Sequence, residues 1–156
     1  MLIRRFEEKD AAPVSALVIC TLRVTNVRDY SPEEMEALAA RMQPADILQR
    51  ASWTHFYVAE DAERIVGCGA VGPYWGKEDE SSLFTIFVLP ECQGRGVGRR
   101  IVETLEKDAF FTRARRVEIP ASVTALGFYE KMGYHKKPGC DAPDEEGMYR
   151  LEKFNR

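Results

Sequence analysis

One stretch constrains this chain more than any other. A strongly β-forming run, Leu83-Phe84-Thr85-Ile86-Phe87-Val88, is stopped by Pro90 and followed by Gln93-Gly94-Arg95-Gly96-Val97-Gly98 and then by a helical pattern. A strand, then glycines, then a helix start bring three things to one point: unpaired first-turn amides, the positive end of the helix dipole, and backbone that oxygen atoms can approach. That is a device for holding an anion. Arg95, Arg99 and Arg100 stand at the same positive end, where cations disfavour an empty helix and a bound anion relieves them. The bland alternative is a glycine-rich turn carrying solvated arginines.

Two familiar phosphate loops can be tested against this spacing. A P-loop needs Gly-Lys followed by Ser or Thr, whereas Gly98 is followed by Arg99 and Arg100, so no hydroxyl is placed to hold magnesium. A dinucleotide fingerprint needs its third glycine where Arg99 stands, although Glu118 lies at the downstream distance of a ribose-binding acid. A dinucleotide-binding protein therefore stays as an alternative.

The rest of the chain reads as alternating helices and strands. Leu2 to Phe6 form a first strand, and Asp10 is placed to cap a helix carrying Val14, Leu17, Val18 and Leu22. Ser31-Pro32-Glu33-Glu34 is a capping box with proline at the first helical position, followed by a stripe of Met35, Leu38, Ala39 and Met42. Pro44 is expected to end that helix, with a short turn at Ile47 and Leu48. His55 to Ala59 and Arg64 to Val71 form a hairpin. Val97, Ile101, Leu105 and Ala109 give an amphipathic helix to about Phe111. Arg116 to Ile119 is a strand, Ser122 can cap a helix through Met132, and Gly133 ends it. Two closing strands, Tyr134 to Lys137 and Met148 to Phe154, flank a polar loop. The order is strand, two helices, three strands, helix, strand, helix, two strands, which predicts one α/β domain over 1–156 with a mixed sheet.

Composition narrows the function classes. With 156 residues, 45% apolar and 30% charged, the chain can close a core without disulfides or structural metal. Its four cysteines are scattered with no C-x-x-C pair, so no zinc site is encoded locally and reduced thiols in the cytoplasm are expected. No apolar run is long enough to span a membrane, and a net charge of −3 with interspersed signs argues against a nucleic-acid partner.

Val88-Leu89-Pro90-Glu91-Cys92-Gln93-Gly94-Arg95-Gly96-Val97-Gly98 resembles the cofactor motif of the GNAT superfamily of N-acetyltransferases, Q-x-x-G-x-G running into a helix. Ala121 to Tyr134 is similar to the family's later motif, a helix bearing Phe-Tyr-Glu-Lys that ends in Gly-aromatic. Many members have asparagine where this chain has Ser122. The resemblance implies a mostly antiparallel sheet, with helices on both faces and a splay between strands four and five near Phe87 and Val88. It also implies acetyl-coenzyme A as cofactor and an amine as acceptor, with a homodimer as a further admissible assembly. Amides of Gln93, Gly94, Arg95, Gly96, Val97 and Gly98 would hold the pyrophosphate with help from Arg99. Phe87 and Val88 would leave backbone groups free for the pantetheine arm, Ser122 would stand beside it, and one amide would polarise the thioester carbonyl. A non-catalytic acyl-coenzyme A-binding module of the same fold is a second reading.

Tyr129 matches the family's proton donor to the departing thiolate; as a residue of an amphipathic helix it also reads as a core aromatic. An alkyl amine of pKa about 10.4 is only on the order of 0.1% neutral at pH 7, so a base is needed. Glu78, Asp79, Glu80, Glu118 and Thr85 are the candidates nearby, none singled out. His55 and His135 lack a recognisable partner and read as structural or surface residues. Tyr30, Trp53, Tyr74 and Trp75 read either as walls of an acceptor pocket or as core.

Overall fold

The computed structural model describes residues 1–155. Its strands, numbered in chain order, are β1 (Leu2–Arg5), β2 (His55–Asp61), β3 (Arg64–Pro73), β4 (Glu80–Val88), β5 (Arg116–Ser122), β6 (His135–Lys136) and β7 (Met148–Phe154). They form one sheet in the order β1-β2-β3-β4-β5-β7-β6. Every neighbouring pair is antiparallel except β4 with β5.

Helices cover both faces, each burying one stripe. On one side lie α1 (Ala11–Val24), α2 (Pro32–Ala39) and α3 (Pro44–Trp53). Val14, Val18, Leu22 and Ile47 pack there against Phe56, Val58, Cys68 and Ala70 of the sheet. On the other side lie α4 (Val97–Leu105), α5 (Ala109–Thr112) and α6 (Leu126–Lys131). There Ile101, Leu105 and Phe111 pack against Val117, Ile119 and Leu151. The glycines of β3 let α4 come close: a Cβ on Gly67 would lie 2.8 Å from Ile101 Cδ1, and one on Gly69 2.7 Å from Ile101 Cγ2.

Four local expectations change. Asp10 does not cap α1, because its carboxylate accepts from Arg4 at 2.8 and 3.0 Å and from the Glu7 amide at 2.8 Å. Burial opposes that charge, yet Arg4 and the amide outweigh it and hold the carboxyl below its ordinary range. Pro44 does not merely stop α2, which has already ended at Ala39; it opens the ten-residue α3. The helix expected to reach Phe111 breaks after Leu105, since Asp108 caps a new turn through the Phe110 amide at 2.8 Å. Asp108 also binds His55 Nδ1 at 2.7 Å and Tyr57 at 2.5 Å, which gives His55 a structural role. Ser122 ends the extended β5, and its hydroxyl accepts from the Ala125 amide at 3.1 Å ahead of α6. The Ser31 capping box forms as expected, with both bonds at 3.0 Å.

The parallel pair is where the sheet opens. β4 and β5 are hydrogen-bonded only from Glu80–Ser82 to Arg116–Glu118, so the splay begins at Leu83, earlier than the expected Phe87 and Val88. The closed end is pinned by the buried Arg116, which reaches Glu80 at 2.8 Å, Glu152 at 2.7 Å and also Glu118. The open end has two local causes. Thr85, at φ 53°, sits in a register shift against β3, a β-bulge that bends β4. Pro120 of β5 has no N–H to offer a neighbour.

Candidate active site

The splay forms a cavity of 690 Å³ between β4 and β5 that runs from the glycine loop to the helices on the opposite face. Its loop end is built as an anion cradle. Gly94 and Gly96 take φ of 77° and 81°, and Gly96 precedes the first residue of α4 with no side chain capping it. The first hydrogen bond of α4 runs from the Arg100 amide to the Gly96 carbonyl at 3.1 Å, so the amides of Val97, Gly98 and Arg99 have no carbonyl earlier in the helix. Gly98 permits a close approach: a Cβ there would lie 3.3 Å from the Phe128 ring of α6.

Side chains of the loop divide into anchors and free groups. Gln93 Nε2 donates to the Val88 carbonyl at 3.1 Å and to Thr25 Oγ1 at 3.3 Å, tying the loop to the strand end and to α1. Thr21 Oγ1 also reaches the Val88 carbonyl, at 3.3 Å. That carbonyl, expected to be free for a pantetheine arm, is therefore already engaged. Arg95 is exposed and does not line the cavity, because the left-handed glycines on either side turn the chain and leave it in solvent. Arg99 lines the cavity and pairs with Glu103 at 2.8 Å. An exposed i,i+4 pair is worth well under about 1 kcal/mol, so this arginine can be drawn to an anion. Phe87, Val88, Gln93, Gly94, Gly96, Val97, Gly98, Ser122 and Tyr129 all contribute to the cavity wall.

Tyr129 is compatible with both readings left open in the sequence. It is 5% exposed and packs its ring edge-on to Phe128 at 5.1 Å and Tyr134 at 6.3 Å, as a core aromatic does. Yet it borders the cavity, and no hydrogen-bond partner of its hydroxyl is found among the described residues. Burial pushes its phenol well above the ordinary range, so the group stays protonated and able to donate.

At the bulge, Thr85 is held from two sides. Its carbonyl accepts from the Cys68 thiol at 3.2 Å and its hydroxyl from Arg50 Nη1 at 2.9 Å. Burial pushes the Cys68 thiol up to about 12, which leaves it an inert donor. The wall beyond the bulge comes from Tyr30, Met35, Leu38 and Met42, with Arg50 and Glu146 as its charged members. Tyr30 closes that end: its hydroxyl donates to the Gly147 carbonyl at 2.7 Å and accepts from the Val123 amide at 2.9 Å.

Several sequence candidates lie elsewhere. Glu118 is held by Lys137 at 2.8 Å, by Arg150 at 3.6 Å and by Arg116, so burial opposes its charge but these cations keep its carboxyl below the usual range. Such a carboxylate is a weak base, and it neither borders the cavity nor stands ready for a ribose. Glu80 pairs with Arg116 and Arg115, Asp79 pairs with Arg115, and Glu78 is exposed. Trp53 packs on Phe84 with centroids 5.1 Å apart, Tyr74 lies under Arg116, and Trp75 is 84% exposed; of the four aromatics only Tyr30 joins the wall. Arg50 and Glu146 were missed because neither lies in a motif; only folding brings α3 and the loop before β7 to the wall of one cavity. Among the described residues no cluster of His, Cys, Asp and Glu could hold a metal, and no helix is long and apolar enough to cross a membrane.

Known proteins give the same picture. Residues 52–136 match the model of the acetyltransferase (GNAT) domain. An uncharacterized N-acetyltransferase of Methanocaldococcus jannaschii is 30% identical over 146 residues, covering 88% of this chain and 80% of that protein. A GCN5-related N-acetyltransferase from Rhodopseudomonas palustris superposes with a TM-score of 0.81 at 26% identity, covering 99% of this chain and 95% of the other. The PaiA N-acetyltransferase of Thermoplasma acidophilum, solved with coenzyme A, shares the fold with a TM-score of 0.83 at 16% identity, over 99% and 98% of the two chains. With the family's glycine loop at the mouth of a β4–β5 splay, and with these relatives, the chain belongs to the GNAT family of acetyltransferases.

Proposed function

We propose that this protein moves an acetyl group from acetyl-coenzyme A to a primary amine of a small molecule or peptide, by direct attack of the amine on the thioester. The observation that carries the reading is the continuity of one cavity, from the open amides of α4 past the Tyr129 hydroxyl to a separate end walled by Tyr30 and Arg50. The residues present fit the cofactor: an uncapped helix start, left-handed glycines and an arginine held only by an exposed ion pair suit a pyrophosphate. Bound acetyl-coenzyme A supplies a thioester whose carbonyl carbon accepts the amine and whose sulfur leaves.

This chain's own groups then have distinct tasks. Amides from Gly94 to Gly98, including that of Arg95, hold the pyrophosphate, and Arg99 adds charge. Phe87 and Val88 line the arm's path, with Ser122 across from them. A C–N bond forms as the C–S bond breaks; the amine's proton goes to Glu146, the only acidic side chain on the described wall, or to water, and the sulfur takes one from Tyr129. Four unpaired cysteines support a cytoplasmic location.

The test is a screen of primary amines against acetyl-coenzyme A with detection of released thiol. Thiol release that depends on both enzyme and amine, with recovery of the N-acetylated product, is expected. Binding of coenzyme A without turnover of any amine would instead favour a non-catalytic acyl-coenzyme A module.

A further inference from the structure

Arg50 is a charged wall residue whose chemistry the reaction above does not use. It stands on α3, and the only hydrogen bond its guanidinium makes among the described residues is the 2.9 Å contact from Nη1 to Thr85 Oγ1. A guanidinium has five N–H donors, so four remain. No carboxylate among the described residues pairs with it: Asp46, one turn earlier, accepts instead from the Gln43 amide at 2.9 Å. The neighbouring wall is apolar, made of Met35, Leu38, Met42 and Phe84. Burial lowers the Arg50 pKa, with Asp46 offsetting it only in part and Arg41 adding like charge. A half-buried cation without an anion is costly, and it strongly favours any anion that enters.

We infer that Arg50 is the acceptor's anion receptor, and that the amines this enzyme acetylates each carry a carboxylate, as amino acids do. The inference rests on the acetyltransferase reading. Arg50 is badly placed for the cofactor's phosphates. It binds at Thr85, three residues before Val88, a span of roughly 10 Å along a strand, and the phosphate loop lies beyond Val88. It therefore faces what arrives from the far side of the thioester. A single cation matches a monoanion better than a phosphate dianion, and the planar fork left by Arg50 suits a carboxylate. Glu146 on the same wall supplies the opposite charge for the ammonium end before its proton is lost.

The test uses matched acceptors: amino acids, their amides, their decarboxylated amines, and phosphoethanolamine, each assayed with acetyl-coenzyme A. Parent, Arg50→Gln and Arg50→Lys are compared; a retained coenzyme A-induced thermal shift shows that each variant is folded. Amino acids should exceed their amides in kcat/KM by about ten- to hundredfold, and Arg50→Gln should erase that preference, mainly through acceptor KM. Arg50→Lys should keep part of it. Equal turnover of acids and amides, a preference for phosphoethanolamine, or discrimination that survives Arg50→Gln would overturn the assignment while leaving the acetyltransferase intact. No turnover of any amine, with coenzyme A still bound, would overturn both.

Discussion

In the proposed mechanism Tyr129 is core and reagent together. Its ring packs against Phe128 and Tyr134, and among the described residues no polar partner competes for the hydroxyl. Because burial raises its pKa, the phenol does not ionise across the working range, so alkaline conditions up to about pH 10 should raise the rate as amine deprotonates rather than lower it through Tyr129. Tyr129→Phe keeps the packing and removes the donor. Pre-steady-state acetyl transfer should slow 10²- to 10⁴-fold, about 3 to 5 kcal/mol, with coenzyme A affinity and melting temperature nearly unchanged. A rate within about threefold of the parent would reduce Tyr129 to a packing residue.

At the level of elements, the loop and α4 act as one unit. Gly96 sits at φ 81°, and a Cβ there meets nothing within 4 Å, so the space next to it is open. Gly96→Asp would place an L-residue in a left-handed conformation and a negative charge beside the incoming phosphates. Calorimetric titration should show coenzyme A binding lost, while pantetheine, which has no pyrophosphate, should stabilise even the parent less than coenzyme A does. Micromolar binding retained by the variant would place the cofactor elsewhere. The bulge is a second unit: Thr85, Cys68 and Arg50 belong to β4, β3 and α3, and together they hold the bend that opens the sheet.

Across the whole molecule, the splay needs an opposing clamp, which the ion cluster of Arg116, Glu80, Glu118 and Glu152 provides at the closed end of β4 and β5. Glu118 is 1% exposed and held by three cations. Glu118→Gln should cost about 3 kcal/mol near neutral pH, since it leaves buried cations short of an anion. The sign with pH follows from its lowered folded pKa. Its stabilisation is complete above the ordinary glutamate value of about 4.3 and is lost as pH falls through the lower folded value. Chemical denaturation of parent and variant should therefore show a constant gap from pH 7 to about 5.5 that closes in stronger acid. A gap that widened in acid would contradict the clamp.

What the amino-acid sequence determined by itself was local: the strand, Pro90, the left-handed glycines and the start of α4, the capping box at Ser31, and the family's two motifs. Each is legible because its physics is contained within a few neighbouring residues. Pro44 was misread because proline suits a helix start as well as a helix stop, and Asp10 because Arg4 outbids a cap. Only the tertiary structure decided where the sheet parts, which acids are consumed in ion pairs, and that Arg50, Tyr30 and Glu146 line one cavity. Those outcomes depend on which segments, distant along the chain, compete for the same charge or the same space, and no local pattern carries that information.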